Sequence, residues 1–317
     1  MARLRSFLVS CAVVLTTTAP ALAQDATEEP HDDSALPPAV APPPSAEPER
    51  IKKKWNPEYV PDATAADWIG IGVGASFAIG GAVASPQPKH WTGGVLFDES
   101  VRNTLRMPTA QGRYTVRDAS DVGLSLLATW PFLVDALVTA WYTNGDPEIA
   151  KRMAIVDAEA LAIIGGIQET TTAVASRERP YARNCGGTDR EGIPDASVDC
   201  NGSIKYRSFF SGHSGLSFAA AGLVCVHHLG LDLLGAPGDA LSCAGAYTVA
   251  STTALFRIMG DMHYATDVLT GAAVGSLVGI GIPLLRRTRV TSEPPKAGAV
   301  RVDIIPVGAG LGIGGLF

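Results

Sequence analysis

Residues 256–285 read FRIMGDMHYATDVLTGAAVGSLVGIGIPLL. The second half, Val268 to Leu285, carries no charged residue and has about the length that a bilayer-crossing helix needs. The first half places Arg257, then His263 six residues later, then Asp267 four after that. Residues four apart on a helix share a face, with Cβ atoms ~5–6 Å apart. The Asp267 carboxylate is therefore expected to accept a hydrogen bond from one ring nitrogen of His263. Such a bond fixes the tautomer, leaves the other nitrogen as a nucleophile and stabilises the cation formed on attack. Taken alone, the pair reads as ordinary helix-start chemistry, and Arg257 as a C-terminal charge meeting a helix dipole. The three together ask for more.

Working upstream, the apolar segments fall at roughly 66–85, 120–143, 150–176, 212–235, 240–259 and 265–285. Small residues and the absence of period-2 alternation favour helix over strand, which gives an all-α core. The chain has 34 glycines and only 7% aromatics, as in helices packed through small residues. The connector at 86–119 is polar and holds Arg102, Arg106, Arg113 and Arg117; the one at 177–211 is also polar. Ser211-Gly212-His213 opens the fourth segment, where a hydroxyl and a glycine amide at a helix amino terminus make an anion cradle. His213 at that mouth is placed to protonate a leaving oxygen and later deprotonate water. Arg179-Pro180 closes the third segment and supplies a second guanidinium, beside Arg257, suited to gripping phosphoryl oxygens.

The first residues look like a secretory signal, 1–23, with Arg3 and Arg5 ahead of an apolar run and Ala21-Leu22-Ala23 as cleavage site. Residues 24–60 form a Pro/Ala-rich linker of disordered composition, 61–290 a helical domain, and 291–317 a short irregular or β tail. Export makes disulfides possible among the four remaining cysteines. Cys185 and Cys200 share one polar loop and are the better pair; Cys225 and Cys243 sit in apolar segments, as a disulfide or as buried thiols. A net charge of −6 with scattered basic residues speaks against nucleic-acid partners.

Whether the helices span a bilayer is left open by the sequence. Asp135, Asp157, Glu159, His227, His228 and Asp232 interrupt the apolar segments, and a mean hydropathy of +0.18 is low for a six-span protein. His227 and His228 lie about four turns from His213, roughly 21 Å along the helix, and read as core or helix-end residues. If the first helix lies on or outside the membrane, the Cys185–Cys200 loop faces outward. Lys151-Arg152 and Arg286-Arg287 then fall on the cytoplasmic side.

The three blocks together resemble the type 2 phosphatidic acid phosphatase superfamily, shared with bacterial class A acid phosphatases and vanadium haloperoxidases. Its pattern is K-x6-RP, then PSGH, then SR-x5-H-x3-D. Arg179-Pro180 matches the end of the first block, Ser211-Gly212-His213 the second with Phe210 in place of proline, and Phe256-Arg257, His263 and Asp267 the third with phenylalanine in place of serine. The lysine expected seven residues before Arg179 is Thr172. Arg177 and Arg183 are the nearest cations to replace it.

The resemblance implies a six-helix phosphatase bundle over about residues 66–285 that needs neither metal nor cofactor. His263 would attack phosphorus to form a phosphohistidine, Asp267 would orient it, and His213 would act as acid then base. Arg179, Arg257 and the Ser211–Gly212 amides would hold the oxygens. The substrate would be a phosphorylated lipid or a small phosphoester processed on the periplasmic side of the inner membrane, with membrane association. A non-catalytic envelope protein on the same scaffold, and less so a vanadium haloperoxidase, are the other readings.

Overall fold

The computed structural model describes residues 59–187, 200 and 202–290, with the backbone of 301–307 and 310–316. The expected signal (1–23), nearly all of the expected linker (24–60) and part of the expected tail (291–317) lie outside the described residues.

The core is all-helical. Among the described residues there are seven α-helices: α1 (Ala65–Val83), α2 (Asp98–Leu105), α3 (Ala110–Trp130), α4 (Pro147–Ala175), α5 (Gly212–Leu231), α6 (Gly238–Met259) and α7 (Ala265–Val290). α3 continues as a π-helical stretch, Pro131–Thr143. Residues 301–307 and 310–316 pair as two antiparallel strands, β1 and β2. The expected six helices correspond to α1 and α3–α7. The seventh, α2, arises inside the connector that the sequence presents as polar loop, and α3 begins at Ala110 rather than near 120. The cause is visible in Arg113 and Arg117. They are buried, at 1% and 5% exposure, on the inner face of an added helical stretch, so charges that look solvent-facing are interior.

Helix starts follow their capping chemistry. Thr109 accepts a hydrogen bond from the Gly112 amide at 3.1 Å, Asp146 from Ile149 at 3.0 Å ahead of Pro147, and Ser211 from Ser214 at 3.3 Å. α5 is the central helix and touches α3, α4, α6 and α7. Its contact with α7 is made by small residues: Gly271, Gly275 and Gly279 lie against the backbone of Ser211, Gly215 and Ala219. A Cβ at Gly275 would collide with the Gly215 carbonyl, and no side chain lies between to yield. Gly275→Ala is therefore expected to destabilise the bundle by about 1–3 kcal/mol despite its better helix propensity. A melting temperature at or above wild type would contradict this close approach.

Disulfides join Cys185 to Cys200 and Cys225 to Cys243, the latter tying α5 to α6. Arg152, Arg286 and Arg287 lie at one end of the bundle, near Asp62, Asp67 and Tyr59 respectively. Asp232 is exposed at the C-terminal cap of α5, while the other interrupting polar groups are buried in the bundle. Asp157 meets His227 at 2.7 Å, His228 lies between Asp239 at 2.7 Å and Asp135 at 3.3 Å, and Asp67 meets Arg286 at 2.7 Å. Interior pairing removes the objection that lone carboxylates raise against a bilayer. Four helical stretches, 65–83, 110–143, 212–231 and 265–287, are long and apolar enough to cross a membrane. Large apolar side chains such as Trp68, Phe77, Leu137, Leu241 and Leu277 point outward from the bundle.

Candidate active site

The sequence blocks meet at the end opposite Arg152 and Arg286. There the C-terminus of α4 leads to Arg179, the N-terminus of α5 carries His213, the last turn of α6 carries Arg257, the approach to α7 carries His263, and the first turn of α7 carries Asp267. Antiparallel packing of consecutive helices is what brings segments some 90 residues apart to one place.

His263 is 3% exposed. Its Nδ1 lies 2.8 Å from the Ser208 carbonyl, which can only accept, so Nδ1 carries the proton. The lone pair is then on Nε2, which accepts from Arg179 Nη1 at 3.2 Å. The direct His263–Asp267 bond expected from the four-residue spacing is not made, because Nδ1 and Oδ2 are 3.8 Å apart. Asp267 instead accepts from the Ser208 hydroxyl at 2.6 Å and the Tyr264 amide at 2.9 Å. Ser208 therefore stands between them, its carbonyl on the histidine and its hydroxyl on the carboxylate. The spacing puts the two on one face, but α7 begins only at Ala265, so His263 sits before the helix and its ring turns to the 208 backbone.

Arg257 reaches across to α3, where its Nη1 donates to Ser120 Oγ at 2.9 Å and Asp121 Oδ1 at 3.2 Å. The same Asp121 oxygen lies 2.6 Å from His213 Nε2. One carboxylate thus links the second histidine to the second arginine. Arg179 is held by carbonyls, with Nε on Ile204 at 3.1 Å and Nη1 on Met262 at 3.2 Å. Ser211 is fully buried; its hydroxyl caps α5 and its amide donates to the Asp267 carbonyl at 3.1 Å. That amide is already used, so it is not available to the expected Ser211–Gly212 cradle.

Neither expected stand-in for the missing lysine is free to serve. Arg177 is fully buried between Asp98 at 2.7 Å and Asp267 at 2.5 Å, with Trp91 and Tyr264 against its guanidinium. Arg183 pairs with Glu99 near the surface at 2.7 Å. Thr172 lies inside α4 with its hydroxyl donating to the Glu169 carbonyl at 3.0 Å.

The electrostatics are those of an unbalanced cationic site. Burial above all, and next the charge of Arg179, push Arg257 below the ordinary guanidinium range. Burial likewise lowers Arg179. The His263 imidazole is held well below its usual value by burial first, then by Arg179, Arg257 and His213. Each effect disfavours positive charge here, and an anion placed among these groups would offset it. Among the described residues no cluster of three or more His, Cys, Asp or Glu side chains is arranged to hold a metal.

Residues 158–291 match the model of the PAP2 superfamily. The chain is also 34% identical over 128 residues to the lipid A 1-phosphatase of Porphyromonas gingivalis, a match that covers 40% of this chain and 22% of the relative. No solved structure gives a significant match.

The PAP2 match spans α4 to α7 and stops short of α3, and the residues missed by sequence reading lie mostly there. Ser120 and Asp121 sit where an apolar pattern begins, so they read as a helix start. Arg102 and Arg106 read as loop charges, yet both bind Asp261 in the loop just before His263, at 2.6 and 2.7 Å. A signal did exist: Arg113, Arg117, Ser120 and Asp121 fall at helical spacing, a polar stripe on one face.

Proposed function

We propose that this chain is an exported phosphatase that removes phosphate from a phosphorylated lipid through a phosphohistidine at His263. The observation that carries this reading is the state of His263: a buried imidazole whose Nδ1 proton is fixed by Ser208 and whose Nε2 lone pair faces Arg179. In the proposed reaction, Arg179 exchanges its bond to Nε2 for bonds to the phosphoryl oxygens, which Arg257 and the first-turn amides of α5 also hold. Nε2 then attacks phosphorus, the P–O ester bond breaks, and His213 gives its proton to the departing oxygen. Asp121, 2.6 Å from His213 Nε2, holds and orients that ring for the step. Asp267, through the Ser208 hydroxyl, supports the positive imidazole ring that results. A water next gives its proton to His213 and its oxygen to phosphorus, the P–N bond breaks, and inorganic phosphate leaves.

In this reading the helices cross the membrane and the site lies at the bilayer edge, with Arg152, Arg286 and Arg287 on the cytoplasmic side, as the positive-inside rule favours, and the reaction on the periplasmic side. An apolar hollow of about 370 Å³ between α3 and α6, lined by Leu126, Leu127, Trp130, Leu241 and Val249, supports a lipid substrate. Leu126 is five residues beyond Asp121, ~7.5 Å along the helix, so an acyl chain lying in the hollow would reach toward the site. The relative's name makes the 1-phosphate of lipid A the first substrate to assay.

The test is phosphate release by purified full-length protein from lipid A 1-phosphate, phosphatidate, a polyprenyl diphosphate and soluble phosphomonoesters. Release from a lipid is expected, with protein-bound phosphate that is lost in acid and stable in alkali. A folded protein that releases phosphate from none of them would end the reading; release from the soluble esters alone would end its lipid part.

A further inference from the structure

The proposed phosphatase uses two arginines, yet a third guanidinium is buried beside them with no stated task. Arg117 lies on α3, outside the matched residues 158–291, and is 5% exposed. Its Nε donates to the Gly260 carbonyl at 2.6 Å. Its Nη1 and Nη2 are buried and have no hydrogen-bond partner among the described residues. Tyr114 and Tyr181 lie against the guanidinium, 5.4 and 5.7 Å from ring centroid to Cζ, so it is held by its flanks while its outer fork is left open. The nearby carboxylate, Asp261, is bonded by Arg102 and Arg106 and not by that fork.

The position is informative. Arg117 is three and four residues before Ser120 and Asp121, hence one turn away on the same face of α3. Ser120 and Asp121 hold Arg257, and Asp121 holds His213. Tyr181, against the Arg117 guanidinium, follows Arg179 by two residues, and its amide binds Asp261. Arg117 is thus enclosed by the segments that carry both arginines of the site, and its charge is among those acting on Arg179 and Arg257. A buried guanidinium with two idle donors beside two further cations is an arrangement that an anion completes, satisfying the donors and offsetting the charge.

We infer that Arg117 is a third phosphate-binding residue, presenting Nη1 and Nη2 to the oxygens of the substrate's phosphoryl group. It supplies the positive charge that Thr172, Arg177 and Arg183 do not. The inference rests on the phosphatase reading above and goes beyond it, since no motif of the chain includes this residue.

The experiment compares wild type, Arg117→Gln and Arg117→Lys in two measurements: inhibition of lipid phosphate release by inorganic phosphate, and the rise in melting temperature that inorganic phosphate produces. Arg117→Gln is expected to raise the phosphate inhibition constant at least about tenfold, equivalent to ~1.4 kcal/mol, and to erase most of the thermal shift. Arg117→Lys keeps the charge but loses the Nε bond to Gly260, and it should recover most of the affinity. Wild-type phosphate affinity in the glutamine variant would overturn the inference. So would equal loss in both variants with a lowered ligand-free melting temperature, which marks a role confined to the Gly260 loop. A wild type that neither releases nor binds phosphate would instead strike the phosphatase reading itself.

Discussion

Replacing His263 with alanine is expected to lower phosphate release from the preferred lipid by at least about a thousandfold, with little change in substrate binding. Removing a covalent nucleophile costs rate rather than affinity, because its bond to the substrate exists only from the transition state onward. Arg179, Arg257 and His213 remain in the variant, so KM should move far less than kcat. The protein-bound phosphate should vanish with the activity. Equal turnover by variant and wild type would exclude His263 as the nucleophile, whatever the substrate.

The same substitution has a second expected consequence, visible in stability. In the folded chain His263 is kept neutral well below its usual value. An unfolded histidine takes up a proton as pH falls through about 6.5, while the folded one does not. The unfolded state therefore binds more protons, and this residue removes stability as pH drops, by about 1.4 kcal/mol per unit below 6.5. His263→Ala should flatten the decline between pH 6.5 and roughly pH 5. Parallel stability curves for the two proteins would show that the imidazole charges freely where it sits.

Replacing Arg177 with methionine is expected to have the largest effect on the fold. Its guanidinium donates to Asp267, Asp98, the Thr266 hydroxyl and the Gly93 carbonyl, and all of its side chain is buried. Methionine preserves the apolar stem but leaves two buried carboxylates facing each other without a cation. Breaking a buried pair in this way costs about 3–5 kcal/mol, which for a domain of this size lowers the melting temperature by roughly 10 °C. Activity should fall as well, because Asp267 carries the Ser208 hydroxyl and through it the ring of His263. A melting temperature within about 2 °C of wild type would refute this account of Arg177.

Much of this was legible in the chain. Val268 to Leu285 announces a helix by its composition, and the six long apolar segments appear in α1 and α3–α7. Arg179, His213, Arg257, His263 and Asp267 are picked out because such residue types are conspicuous at the ends of apolar helices. Local spacing failed where the backbone was not yet helical: four residues separate His263 from Asp267, but only the second lies in α7, so Ser208 takes the bond. Burial was the other blind spot. Arg102, Arg106, Arg113 and Arg117 look like a solvated connector until α2 and α3 fold them inward around the Gly260–Asp261 turn.

The sequence by itself determined that this protein is a bundle of apolar helices with cationic and imidazole groups at their ends. Helix length and composition are local properties, and a charge in an apolar setting demands a partner wherever it falls. Only the tertiary structure decided which partners those are. Asp121 bridging His213 and Arg257, Ser208 between His263 and Asp267, and the open fork of Arg117 all join residues distant in the chain. Contacts of that kind are fixed by helix packing, which no local pattern encodes.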